Sequence, residues 1–275
     1  MTTEAPGMRD RIAAQSVIEE LLRQQQALPP RSRFARFWGR SPLAADSVAW
    51  YLGAQGEIAV GQILSRLPPE WRVFHALPIG TAGADIDHLV LGPGGVFTIN
   101  TKHHRGKKIW IKDTGFLVNG HRHGYIRNSE FEATRVTKLL RKRMPQLARA
   151  RPVIALVSPG KITIKKRPVE VTVIDAVKLR RWLLKQPVAL AEAELVELSA
   201  AVDSPATWSA VTATPTPTPT PNLMAQFTGV DGVVRAARGR RILITLLGIV
   251  TVAALGIVVV LPNYEDWILG IIAIL

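Results

Sequence analysis

The sequence predicts an α/β domain followed by one transmembrane helix, and three observations carry that prediction. Short β-branched runs alternate with helical stretches over residues 47–203. A threonine–proline run, ATPTPTPTPN at residues 213–222, then breaks the pattern, because alternating proline removes the donors that helices and sheets need. Beyond it, residues 242–261 carry no charge, and 20 residues at 1.5 Å each span a hydrocarbon core of roughly 30 Å.

Taken in order, residues 1–46 form an N-terminal helix and a basic arm. Residues 9–27 have helical spacing, with Ile12, Val17 or Ile18, Leu21 and Leu22 on one face, and end before Pro29 and Pro30. The arm, RSRFARFWGR at residues 31–40, interleaves four arginines with Phe34, Phe37 and Trp38, a composition suited to an anionic membrane surface or to phosphates and bases. A helix with one apolar face follows over residues 47–67. It contains Gly53, Gly56 and Gly61 around Glu57, and each interior glycine costs about 1 kcal/mol relative to alanine, so the cluster predicts close packing against a backbone or ligand.

Residues 71–77 alternate as a strand. Residues 84–91 and 96–101 then read as a hairpin around Gly92-Pro93-Gly94-Gly95. Strand side chains alternate, so Asp85 and Asp87 share one face of the first strand, and Asn100 and Lys102 share one face of the second. In the right register two carboxylates, an amide oxygen and an ammonium converge. Burying that set without a purpose is expensive, so it is a candidate for chemistry. A second hairpin follows over residues 109–118, then a helix over 128–144 with a basic C-terminal end, strands over 152–157 and 169–174, and a helical region from 179 to about 202.

The net charge is +14, which attracts anions such as nucleic acid or acidic lipid. The absence of cysteine excludes disulfides, thiolate zinc sites and a cysteine nucleophile. The six histidines are too scattered to specify a zinc site, and His103 and His104, beside Lys102, Arg105, Lys107 and Lys108, suit a phosphate-facing rim. Residues 204–241 read as linker and basic juxtamembrane segment, and 262–275 as a short tail with Tyr264 and Trp267 at headgroup depth. Arg235, Arg238, Arg240 and Arg241 precede the apolar span, while only Glu265 and Asp266 follow it. The positive-inside rule therefore predicts a single-pass protein with a cytoplasmic N-terminal domain. The opening MTTEAPGMRDR lacks the apolar core of a signal peptide.

The order of a helix with Glu57, a strand with Asp87, a strand with Asn100 and Lys102, then a helix and a strand resembles the core of PD-(D/E)xK nucleases. More closely, GAQGE around Glu57 and DIDHLVLGPGGVFTINTK resemble the NERD family, the nuclease-related domain, over roughly residues 47–186. The resemblance implies a mixed sheet flanked by helices, phosphodiester hydrolysis of DNA or RNA, and dependence on Mg²⁺ or Mn²⁺. By position it makes Glu57, Asp87, Asn100 and Lys102 the catalytic set, with Asp87, Asn100 and Asp85 as metal ligands. His103, His104, Arg105, Lys107, Lys108, Arg135 and Lys138 are the expected nucleic-acid contacts. Two positions depart from the family: Asn100 stands where it usually has a carboxylate, and Glu132 where it commonly has glutamine. The first departure predicts weakened metal binding and a slow or inactive enzyme, and leaves two alternatives open: a nucleic-acid-binding module without catalysis, or a scaffold on the membrane surface.

Overall fold

The computed structural model describes residues 7–79, 85–208 and 220–272; within the C-terminal helix, side chains are described for 222–257. Residues 83–84 of the hairpin stretch, most of the threonine–proline run and the last three residues lie outside that description.

Among the described residues, nine strands form two sheets. The larger has β1 (Arg72–Pro78), β2 (Asp85–Gly92), β3 (Gly95–His103), β7 (Arg151–Val157) and β9 (Thr172–Asp175) in the order β1-β2-β3-β7-β9. β1, β2 and β3 pair antiparallel, and β3, β7 and β9 pair parallel, so the sheet is mixed as the resemblance implied. The smaller sheet joins β4 (Lys108–Lys112), β5 (Gly115–Val118), β6 (His121–His123) and β8 (Lys161–Lys166) in the order β6-β5-β4-β8.

Helices cover both faces of the larger sheet. On one side, Val60 and Leu64 of α3 (Ser47–Leu64) and Leu179 and Leu183 of α5 (Ala176–Leu183) pack on Phe97, Ile99, Val153 and Ala155. On the other, Ala133, Val136 and Leu140 of α4 (Tyr125–Leu140), with Leu195 and Leu198 of α6 (Glu192–Asp203), pack on Leu89 and Leu91. Alternation along β3 divides its side chains between these layers. Trp208, in α7 (Pro205–Trp208), is fully buried and donates its indole N–H to the Val202 carbonyl at 2.8 Å, closing the second layer.

Two of the three clustered glycines of α3 pack closely, as predicted, though against side chains and not against a backbone or ligand, while Gly53 makes only an ordinary contact with Val17. A Cβ on Gly56 would stand 3.0 Å from the Cβ of His103 in β3, and one on Gly61 would stand 2.8 Å from that of Ala13. α3 thus lies against β3 in a contact so close that a larger residue at position 56 would force His103 to give way.

At the N-terminus the predicted helix is shorter and in two parts: a 3₁₀ turn at Met8–Asp10, then α1 (Gln15–Gln26), with Ala14 between them in the left-handed region at φ 64°. The arm contains a short helix, α2 (Arg33–Phe37). The largest departure is at the other end. Residues 220–241, expected as linker and juxtamembrane segment, belong to one 53-residue helix, α8 (Thr220–Ile272). Its first turns are ordered by burial, since Leu223 and Phe227 pack with Ile18, Leu21, Tyr51 and Ala54 of α1 and α3. Over Asn222–Ile257, α8 is long and apolar enough to cross a membrane, and none of its most apolar window is buried in the protein.

Candidate active site

The site lies where β2 and β3 part. Their ladder runs from Gly92–Gly95 to His88–Ile99 and stops there. One residue further, the Asp87 carboxylate replaces a backbone acceptor: its Oδ2 takes the Thr101 N–H. Parting the strands while satisfying the freed donor with a side chain opens a polar gap in the sheet without stranding a buried amide.

From the α4 side, Asn100 and Lys102 point into this gap. The Asn100 amide nitrogen donates to both oxygens of Glu132, at 2.8 and 3.0 Å. The amide is thereby oriented, and its other end, Oδ1, is buried with no hydrogen-bond partner. Lys102 Nζ lies 5.1 Å over the ring of Tyr125, which starts α4. Tyr125 and Glu132 are seven residues apart, two helical turns, and so share the face that α4 turns to the sheet. From the α3 side Glu57 is buried, with the Ala14 backbone among the groups opposing the rise in its pKa.

Four carboxyls therefore sit in one poorly solvated region. Burial raises Glu57 well above the ordinary range, with the charges of Asp87 and Asp85 adding to it. Burial pushes Asp87 up to about 6 against the opposing pull of Lys102, and Glu132 up to about 7 against the Asn100 hydrogen bond. Asp85 is raised too, chiefly by burial, although Ser16 and Arg11 at the start of α1 oppose the shift. Desolvated like charges of this kind are costly in the absence of a cation.

These residues fit a hard divalent cation by donor chemistry: Asp87, the orphaned Asn100 oxygen and the Glu132 carboxylate are the oxygen ligands such ions take. Among the described residues, no three His, Asp or Glu side chains are already gathered as a metal cage.

The expected nucleic-acid residues divide by exposure. Arg105, Lys107, Lys108 and Lys138 are exposed, and Arg135 packs its guanidinium 5.4 Å over Phe131. His103 is braced to the Leu52 carbonyl at 2.9 Å, and His104 is buried, stacked on Tyr125, with burial pushing it down to about 4. His104 is therefore neutral at physiological pH, and the charged rim consists of the lysines and arginines. Tyr125 and Glu132 are absent from the residues expected to act. Glu132 is marked in the sequence by its departure from the family pattern, and Tyr125 shares its helix face by a seven-residue spacing.

A nuclease-like mixed sheet with an acidic, lysine-bearing gap between two strands defines the class of the protein. In comparison with known families, residues 52–158 match the nuclease-related domain, NERD. The chain thus carries a nuclease-related domain of the PD-(D/E)xK-like type, from the second turn of α3 to just past β7. Neither curated proteins nor solved structures yield a significant match.

Proposed function

We propose that this is a membrane-anchored nuclease, dependent on a divalent metal, that hydrolyses phosphodiesters of DNA or RNA. In this reading residues 47–203 are the nuclease domain and face the cytoplasm. The observation that carries it is the oriented Asn100 amide at the parting of β2 and β3: its nitrogen donates to Glu132, its oxygen is buried without a partner, and the next residue, Thr101, donates its N–H to Asp87.

Asp87, Asn100 Oδ1 and Glu132 would hold the cation, with Glu57 and Asp85 adding negative charge around it. When bound, Mg²⁺ or Mn²⁺ supplies a Lewis acid that lowers the pKa of water and offsets phosphate charge. The chain's own residues do the rest. Lys102, held over Tyr125, places an ammonium where the phosphate gains negative charge in the transition state. Glu57, its carboxyl pushed up by burial and by the charges of Asp87 and Asp85, is the candidate general base for the attacking water. Asn100 acts by position, fixing Glu132 with two hydrogen bonds. Arg105, Lys107, Lys108 and Lys138 bind the flanking backbone through phosphate charge.

Asp87→Ala and Lys102→Ala are expected to abolish metal-dependent cleavage of single- and double-stranded substrates while leaving the circular dichroism spectrum unchanged. Cleavage at the wild-type rate in both variants would refute the assignment. A second reading has its own support in the neutral amide at position 100: a nucleic-acid-binding module that has lost catalysis. It predicts no turnover by the wild type in Mg²⁺ or Mn²⁺, with nucleic-acid binding retained in Asp87→Ala.

A further inference from the structure

The basic arm at residues 31–40 has no part in the site just described, yet it is docked with care. Gly39 is buried at φ 64°, and a Cβ there would lie 2.5 Å from the Ala237 carbonyl oxygen and 2.6 Å from the Arg241 nitrogen of α8. The arm is thus pressed onto the helix at a point that only glycine allows. Arg240 Nη1 donates to the Arg36 carbonyl at 3.2 Å, Arg36 Nε to the Arg31 carbonyl at 3.1 Å, and Arg31 Nη1 to the Arg40 carbonyl at 2.8 Å. These bonds hold three guanidiniums around a groove of about 490 Å³ whose floor is Gly232, Val233 and Ala236 of α8. No acidic side chain lines it, and no carboxylate among the described residues forms an ion pair with Arg31, Arg36 or Arg240. Each guanidinium has five donors, so most remain free for a ligand.

The groove's position narrows the identity of that ligand. The uncharged stretch of α8 begins at Ile242, two residues past Arg240, and of its large side chains up to Ile257 all but Ile244 are exposed. Gly39 contacts the helix between Ala237 and Arg241, so its neighbours stand within roughly 8 Å, along the axis, of the start of the apolar surface. There Phe34, Phe37 and Trp38 are 66%, 67% and 44% exposed. They cluster around Trp38, which is tilted against Phe34 at 5.8 Å and edge-on to Phe37 at 5.7 Å. Clustered exposed aromatics beside arginines, at the foot of an apolar helix, match the composition of a headgroup–acyl boundary.

We propose that this groove binds the phosphate of an anionic phospholipid headgroup, with Phe34, Phe37 and Trp38 lodged beside it in the membrane interface. The proposal rests on α8 being membrane-inserted and is independent of nuclease activity. It gives the protein two points of attachment, the helix and the arm, and sets the height of the domain above the bilayer.

The test uses the full chain. Alkaline carbonate extraction of membranes containing it establishes insertion; release into the supernatant would overturn the anchor and this proposal together. The protein in detergent micelles is then titrated with dioctanoyl phosphatidylglycerol and dioctanoyl phosphatidylcholine, and bound lipid is counted by native mass spectrometry. The expected result is a preference for the anionic lipid of about tenfold or more. That preference is lost in Arg31→Gln/Arg36→Gln/Arg240→Gln and in the single charge reversal Arg240→Glu, and retained in Asp87→Ala. Equal binding of both lipids, an unchanged preference in the arginine variants, or displacement of the lipid by a DNA oligonucleotide would each overturn it, the last by assigning the groove to nucleic acid.

Discussion

Asn100 and Glu132 share one hydrogen-bonded contact, and which of them carries the charge is the question on which the chemistry turns. The family resemblance implies a carboxylate on the strand and a glutamine on the helix. Here the amide is on β3 and the carboxylate on α4, facing each other at 2.8 Å. The pair keeps one acid and one amide but exchanges their places, so the charge missing from the strand is returned to the gap by the helix. Glu132→Gln removes that charge and is expected to weaken Mg²⁺ binding by about tenfold or more. Asn100→Glu alone sets two carboxylates against each other, whereas Asn100→Glu/Glu132→Gln restores one acid and one amide and is expected to bind at least as tightly as wild type. Isothermal titration reads all four proteins, and wild-type affinity in Glu132→Gln would remove Glu132 from the ligand set. At this scale the strand residues were legible, because period-two alternation groups Asp85 with Asp87 and Asn100 with Lys102. Glu132 was visible only as a departure from a family pattern. Its role depends on α4 docking over β3, a contact across 32 residues that no local period encodes.

Between elements, β1 and β2 carry a histidine pair opposite each other, the half-buried His75 and the buried His88, with their Nδ1 atoms 2.8 Å apart. Such a contact requires one ring to donate and the other to accept, so at least one must be neutral. Burial pushes His75 down to about 4, and burial with the neighbouring His75 pushes His88 well below the ordinary value. A base depressed in the folded state favours folding above its unfolded pKa of about 6.5, and that contribution is lost as pH falls toward 4. His75 alone accounts for about 2 kcal/mol between pH 7 and pH 5. The buried carboxyls titrate in the opposite sense but are common to both proteins in a comparison of wild type with His75→Phe/His88→Leu. Urea unfolding at the two pH values is therefore expected to show a larger loss in wild type, and equal losses would exclude the pair as its source. Most elements were legible from their periods, and the exceptions have physical causes. β8, KITIKK, has lysines at both ends and pairs parallel with β4 across about fifty residues. The first turns of α8 followed a threonine–proline run and became helix because Leu223 and Phe227 found a buried face on α1 and α3.

For the molecule as a whole, a charge of +14 and an exposed basic rim predict association with nucleic acid driven by counterion release. The binding constant of the Asp87→Ala protein for a DNA or RNA oligonucleotide is expected to fall linearly on a log–log plot against salt concentration. Replacing Lys107 and Lys108 with alanine is expected to make the slope shallower by about 2. Binding independent of salt would show that the rim is not the contact surface. The sequence by itself determined the α/β class, the apolar helix, the excess of positive charge and the strand half of the site, since each is written in composition or in a short period. Tertiary structure alone decided that β2 and β3 part at Asp87, that Glu132 restores a carboxylate beside Asn100, and that the arginine arm rests on α8 at Gly39. Each of these is a contact between residues distant in the chain, set by which surfaces the fold buries together, and local patterning carries no record of that choice.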